Sequence, residues 1–179
     1  MTKQDKRNRD LFCVGEITTK LATRLIGDLI KKNAEIRASG EGGIVLYINS
    51  MGGEVTEGLA IYDTIQMIET PVATICLGQA SSMAAYILMG GTKGHRYMTS
   101  NARVLLHPGD TSVEGERETV KSTVEEIDKL GDLCDRIAAK HTGQPLRKIR
   151  QDSNTEFYMG ATQAKKYGIV DKIIRGKNK

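Results

Sequence analysis

Twice between residues 44 and 89 the chain runs through the same three steps: a short apolar run, a turn of small residues, and apolar positions at helical spacing. The first pass is IVLYI, then NSMGG, then residues 54–69 with Val55, Leu59, Tyr62 and Ile65 on one face; the second is VATICL, GQASSM and AAYILM. A nearly unbroken apolar run of strand length is typical of a strand covered on both faces, as parallel strands are. A parallel neighbour is reached through a crossover, and such crossovers are right-handed almost without exception. The repeated pattern therefore predicts an α/β fold, a succession of β-α-β units around a mostly parallel sheet.

The flanking segments extend this pattern. LFCVGEI reads as an earlier strand, and Thr18 or Thr19 can cap a helix whose Leu21, Leu25 and Leu29 recur every four residues. Glu54 and Glu57 occupy the first turn of the helix after NSMGG, where the macrodipole favours acids, and Pro71 stops that helix. ARVLLH reads as a further apolar strand. A long amphipathic helix over about 116–140, with Val120, Val124, Ile127, Cys134 and Ile137 at helical spacing, is expected to project into solvent or against a partner.

Composition narrows the function. A chain of 179 residues, 39% hydrophobic and 27% charged, has the size and balance of a single domain spanning 1–179. Its charged ends, 1–10 and 175–179, are expected to be flexible. The net charge of +4 comes from the termini: residues 1–10 hold four basic and two acidic residues, and 172–179 four basic and none acidic, leaving −2 for the body. A basic face for nucleic acid is thus not expected, and the absence of Trp leaves little for bases to stack on. No apolar run is long enough to span a membrane, and nothing near the start resembles a secretory signal, so a cytoplasmic protein is expected. Cys13, Cys76 and Cys134 are scattered, odd in number and set among apolar residues, as reduced core thiols would be. There is no CxxC or HExxH spacing for a metal, and neither GxGxxG nor a Walker loop for a nucleotide.

Chemistry is expected at the two turns, Asn49 to Gly53 and Gly78 to Met83, because strand-to-helix turns in open α/β sheets present free helix amides. Ser82 lies in the second among Ala80, Ser81, Ala84 and Ala85, small residues that let a substrate backbone approach. It reads either as an N-cap or as a nucleophile. A nucleophilic serine needs a base, and the chain offers His95, His107 and His141. His141 follows the long helix, where helix-terminal carbonyls explain it; His95 lies in the turn TKGHRY and reads as solvated. His107 ends the apolar run VLL just before Pro108 and Gly109, and reads equally as a core ring or as a base at the carboxyl end of a strand.

The motifs YINSMGG, GQASSMAAYILMGGTKGHRY, NARVLLHP, HTGQ and YGIVDKII, in this order over about residues 12–174, resemble those of the ClpP family, the proteolytic subunits of ATP-dependent Clp proteases. The resemblance implies the ClpP/crotonase fold with a projecting long helix. It implies a serine endopeptidase that cleaves unfolded polypeptides inside an oligomeric chamber. Ser82 then matches the nucleophile, His107 the base 25 residues on, and the backbone amides of Gly53 and Met83 the oxyanion hole. Counted without gaps from HTGQ to YG, the acid position falls on Glu156, with Asp152 one helical turn away as the alternative acid, and a solvated loop carboxylate as the plain reading of Glu156. No cofactor is implied in hydrolysis; ATP would be used by a partner AAA+ unfoldase. The implied partners are other copies of the chain, in seven-membered rings that can stack, together with that unfoldase and unfolded substrates.

The sequence departs from the family pattern at several places. Met51 stands where proline is usual before the glycine pair, the turn after His107 lacks the usual double glycine, and the N-terminal segment is short. The arginine usual beside the acid is replaced by Phe157. These changes make a weakly active or non-catalytic ring subunit the first rival; an acyl-CoA enzyme of the crotonase group is the second. AAYILM, being apolar all round, is expected to need cover from an assembly.

Overall fold

A computed structural model describes residues 9–109 and 112–176. The order of elements is β1 (Asp10–Ile17), α1 (Thr19–Ser39), β2 (Ile44–Gly53), α2 (Val55–Met67), β3 (Val72–Ser81), α3 (Met83–Met89), β4 (Arg96–Thr99) and β5 (Arg103–Leu106). Then follow α4 (Arg117–Thr142), α5 (Leu146–Ser153), β6 (Phe157–Gly160), α6 (Ala161–Tyr167) and β7 (Lys172–Ile174). Of the charged ends, residues 1–8 and 177–179 lie outside the described residues, and Asp10 is already strand, paired with Val45.

The sheet is mostly parallel, as expected, but β2 and β3 bury only one face within the chain, and the cover expected on both faces is not there. β1, β2, β3, β4 and β7 lie side by side in that order, all parallel. β3 is where the sheet forks: Thr74 to Cys76 pair with β4, whereas Gln79 to Ser81 pair with β5, which in turn pairs antiparallel with β6. Apolar positions alternate inward along each strand, so Leu46, Ile48, Val72, Cys76 and Met98 are buried while Phe12 and Tyr47 stack on the other face at 5.4 Å between ring centroids.

The structure corrects four further expectations. Asn49 to Gly53 is not a turn, because β2 stays in its ladder with β1 as far as Ile17↔Gly53, across a register shift between Val14 and Glu16. Gly78 to Ser81 is likewise strand, leaving only Ser82 between β3 and α3. AAYILM needs no other chain to cover it: every residue of α3 is buried against β2, β3, α2 and α4. TKGHRY, read as a turn, contains the start of β4.

The long helix does project. Along α4 only Cys134, Ile137 and Ala138 are buried, all in its second half, and Val124 and Leu133 remain 44% exposed. Its C-terminal end is tied to the sheet by Arg96, 4% exposed, whose guanidinium donates to Asp171 at 2.6 and 3.0 Å and to the carbonyl of His141 at 3.0 Å. Burial pushes the Asp171 carboxyl up, but the hydrogen bonds from Arg96 and Gly94 outweigh it and hold the group below its ordinary value. Both ions of this pair keep hydrogen bonds on their remaining atoms, the condition under which a buried charge is tolerated.

Candidate active site

Ser82 sits at the fork of the sheet with φ 53° and ψ −130°, and among the described residues no other non-glycine has positive φ. Such a backbone costs on the order of 1–3 kcal/mol and persists only where its surroundings fix it. Here they do so from both sides. The Ser82 N–H donates to the Leu105 carbonyl of β5 at 2.9 Å, and its own carbonyl accepts from Ala85 at 2.9 Å. The hydroxyl makes no capping bond, so the N-cap reading of Ser82 does not describe this turn. A strained serine between a strand and a helix, its side chain left half-buried and unspent, has the form of a nucleophile elbow.

The glycine pair explains how a second backbone reaches this turn. Gly52 has φ 98°, and a Cβ there would lie 2.6 Å from Ser82 Cβ and 2.7 Å from the Ser81 carbonyl oxygen. Only glycine fits both the conformation and the space. The Gly52 N–H is held by Ser50 Oγ at 3.1 Å, and Ser50 is wholly buried. Gly52 thus lies against Ser82 and Met83, while Gly53 lies against Ile17 of β1. Ser50 escaped the sequence reading, although its place between two motif residues was a signal for it.

His107 lies one residue beyond β5, half-buried. Its Nδ1 accepts from the Gly109 N–H at 3.3 Å. Among the described residues no hydrogen bond joins His107 to Ser82 or to Glu156. The ladders nonetheless converge. Ser81 pairs with Leu105, and Leu106 with Phe157, so His107 directly follows and Glu156 directly precedes the last pair of that antiparallel ladder. Glu156 itself is exposed and outside β6.

Asp152 is engaged elsewhere: it accepts from Lys148 Nζ and from the Tyr167 hydroxyl, each at 2.7 Å. Burial raises its pKa, and those hydrogen bonds more than reverse this, leaving the carboxyl below its ordinary value. Of the other histidines, His95 is exposed, with Nδ1 3.5 Å from the Tyr97 hydroxyl. His141 meets the Tyr62 hydroxyl at 2.7 Å through Nε2; burial first, then Lys140 and Arg96, push its pKa down to about 4. The cysteines are no competing nucleophiles. All three are buried and free, and burial pushes the thiols up to about 11 in Cys13 and Cys134 and about 12 in Cys76, far from the thiolate.

A family model described as Clp protease matches residues 2–177. The chain belongs to the Clp protease family. The match spans the whole parallel sheet, the fork at β3 and the α4–α6 segment, so the mixed α/β architecture and the family agree. A Clp-type peptidase is the class this establishes, and it favours peptide hydrolysis over acyl-CoA chemistry on the related fold. No helix among the described residues is long and apolar enough to cross a membrane.

Proposed function

We propose that this chain is a serine endopeptidase that cleaves unfolded polypeptides within a chamber made of its own copies. In this reading the whole chain is one peptidase domain, and the proteolytic partner of an ATP-driven AAA+ unfoldase in the cytoplasm. The observation that carries the reading is Ser82: a strained backbone with no capping bond is expensive as architecture and useful as a nucleophile. Ser82 Oγ attacks the scissile carbonyl as His107 takes its proton, and His107 then gives that proton to the leaving amine. Glu156 accepts from Nδ1 and stabilises the imidazolium. The amides of Gly53 and Met83 receive the oxyanion, a role supported by the close approach of the neighbouring Gly52 to the Ser82 turn. Hydrolysis needs no cofactor of its own, since the nucleophile, base and oxyanion donors all belong to the chain.

In the isolated chain the base is parked. A working His107 must donate from Nδ1, whereas here that nitrogen accepts from Gly109. Turning the ring to face Ser82 and Glu156 breaks that bond, a step that ring assembly is suited to drive. The same observation favours a second reading, a ring subunit without catalysis. A fluorophosphonate probe separates the two. Labelling of the assembled protein that survives Ser81→Ala and disappears in Ser82→Ala is the expected result; absence of labelling together with no peptide hydrolysis identifies the non-catalytic subunit. Seven-membered rings, single or stacked, are the expected assembly, and a compact monomer near 20 kDa in sedimentation would contradict the chamber.

A further inference from the structure

Among the described residues Glu156 has no side-chain hydrogen bond or ion pair, so whether it meets His107 depends on the backbone on either side of it. Upstream, α5 ends at Ser153; downstream, β6 begins at Phe157. One residue touches both ends. The Tyr167 hydroxyl of α6 donates to Asp152 Oδ2 at 2.7 Å, in the last turn of α5. The Tyr167 ring lies 5.4 Å, centroid to centroid, from that of Phe157, tilted by 58°. Tyr167 is itself fixed: it is 7% exposed, its carbonyl accepts from Gln144 Nε2 at 3.0 Å, and Lys148 Nζ lies 5.4 Å over its ring while binding the same Asp152 oxygen at 2.7 Å. Ser153 adds a bond to Asp135 of α4 at 3.3 Å, but reaches only the upstream end.

We propose that Tyr167 is a positioning residue for the acid of the triad: its hydroxyl and its ring clamp the two ends of the segment 153–156 and so hold Glu156 within reach of His107. Asp152, close to the acid in sequence, then serves as the clamp's anchor rather than as the acid. This inference rests on the assignment of Glu156 made above. A triad carboxylate acts by orienting the imidazole, and displacement of a catalytic group by about 1 Å can cost on the order of a hundredfold in rate. Tyr167→Phe keeps the ring on Phe157 and removes only the hydroxyl.

The test is hydrolysis of a short fluorogenic peptide by the assembled protein as wild type, Tyr167→Phe, Glu156→Gln and the double variant, with Asp152→Asn as a second way to release the clamp. Where turnover is too slow to follow, the rate of fluorophosphonate labelling replaces kcat. Tyr167→Phe and Asp152→Asn should each lower kcat by roughly ten- to a hundredfold with KM within about twofold, and Tyr167→Phe should cost nothing further once Glu156→Gln is present. An undiminished kcat in Tyr167→Phe, beside a slow Glu156→Gln, overturns the clamp and leaves the acid assignment standing. An equal fold loss in both backgrounds overturns it too, since the tyrosine would then act apart from Glu156. Full activity of Glu156→Gln removes the acid assignment itself, and the clamp with it.

Discussion

Around Ser82 the chain is held on every side: β3 is paired on both sides, every residue of α3 is buried, and the strained turn at Ser82 is locked between Leu105 and Ala85. From His107 to Gly109 and from Asn154 to Glu156 the chain has left the strands and their pairing. β5 and β6 have four residues each, His107 is half-buried, and Asn154, Thr155 and Glu156 are exposed. The proposed nucleophile is thus pre-organised by paired strands and α3, whereas the proposed base and acid stand just beyond the ends of two short strands. A rigid half holds strain, and a loosely held half can be switched by whatever packs on it.

The largest effect should fall on the loosely held side, where a single charge does the work. Glu156→Gln keeps the shape of the acid and removes its charge, and comparable losses in a triad lower kcat by about 10⁴-fold. If peptide turnover by that variant equalled wild type while Asp152→Asn lost it, the acid would be Asp152 and the place of Glu156 at the end of the ladder would have no catalytic meaning. Next comes the buried side, read by stability. Met89 is fully buried and Leu133 is 44% exposed, so Met89→Ala should destabilise by about 2–5 kcal/mol and Leu133→Ala by under about 0.5 in chemical denaturation. Equal costs would mean that another copy of the chain covers α4.

Gly52→Ala sharpens the contrast, because it perturbs the rigid half at the point where that half meets the chemistry. An added Cβ must push Ser82 or the Ser81 carbonyl away, and the φ of 98° disfavours any side chain. Peptide turnover should fall about a hundredfold, with the assembly unchanged in sedimentation. Wild-type turnover would show that the turn at Ser82 is not held from this side.

The smallest effect is a slope in stability with pH. His141 titrates near pH 4 when folded and near 6.5 when unfolded, because burial and the nearby Lys140 and Arg96 disfavour its charge. Below 6.5 the unfolded chain therefore takes up the proton first, and stability present above that pH is lost progressively toward 4. His141→Gln should flatten this window in denaturant midpoints measured from pH 7 to 4; an unchanged slope would assign it to other groups.

Legibility followed the same division. The strands IVLYI and VATICL, the helices after them and Ser82 were readable because buried parallel strands and strand-to-helix turns leave a local signature in residue type and spacing. β4, β6 and β7 were not read as strands; they are as short as β5 but lack its apolar run, Val104 to Leu106. The extent of β2 through Met51 and the glycine pair was missed for another reason: glycine and a bulge read locally as a turn, while pairing with β1 keeps them in the sheet. His107 and Glu156 could be numbered by family likeness, yet nothing in either segment alone says that the two flank the same end of one ladder.

The sequence by itself determined the parallel α/β core, the apolar α3, the projecting α4 and the serine at the strand-to-helix turn, since each depends on periodicity or on residues adjacent in the chain. Only the tertiary structure decided that Ser82 carries strain without capping, that Gly52 rests on it, that Asp152 is taken by Lys148 and Tyr167, and that Nδ1 of His107 faces Gly109. Those outcomes depend on which distant groups compete for one hydrogen bond or one small volume. That competition is settled by packing in three dimensions, and a linear pattern does not encode its winner.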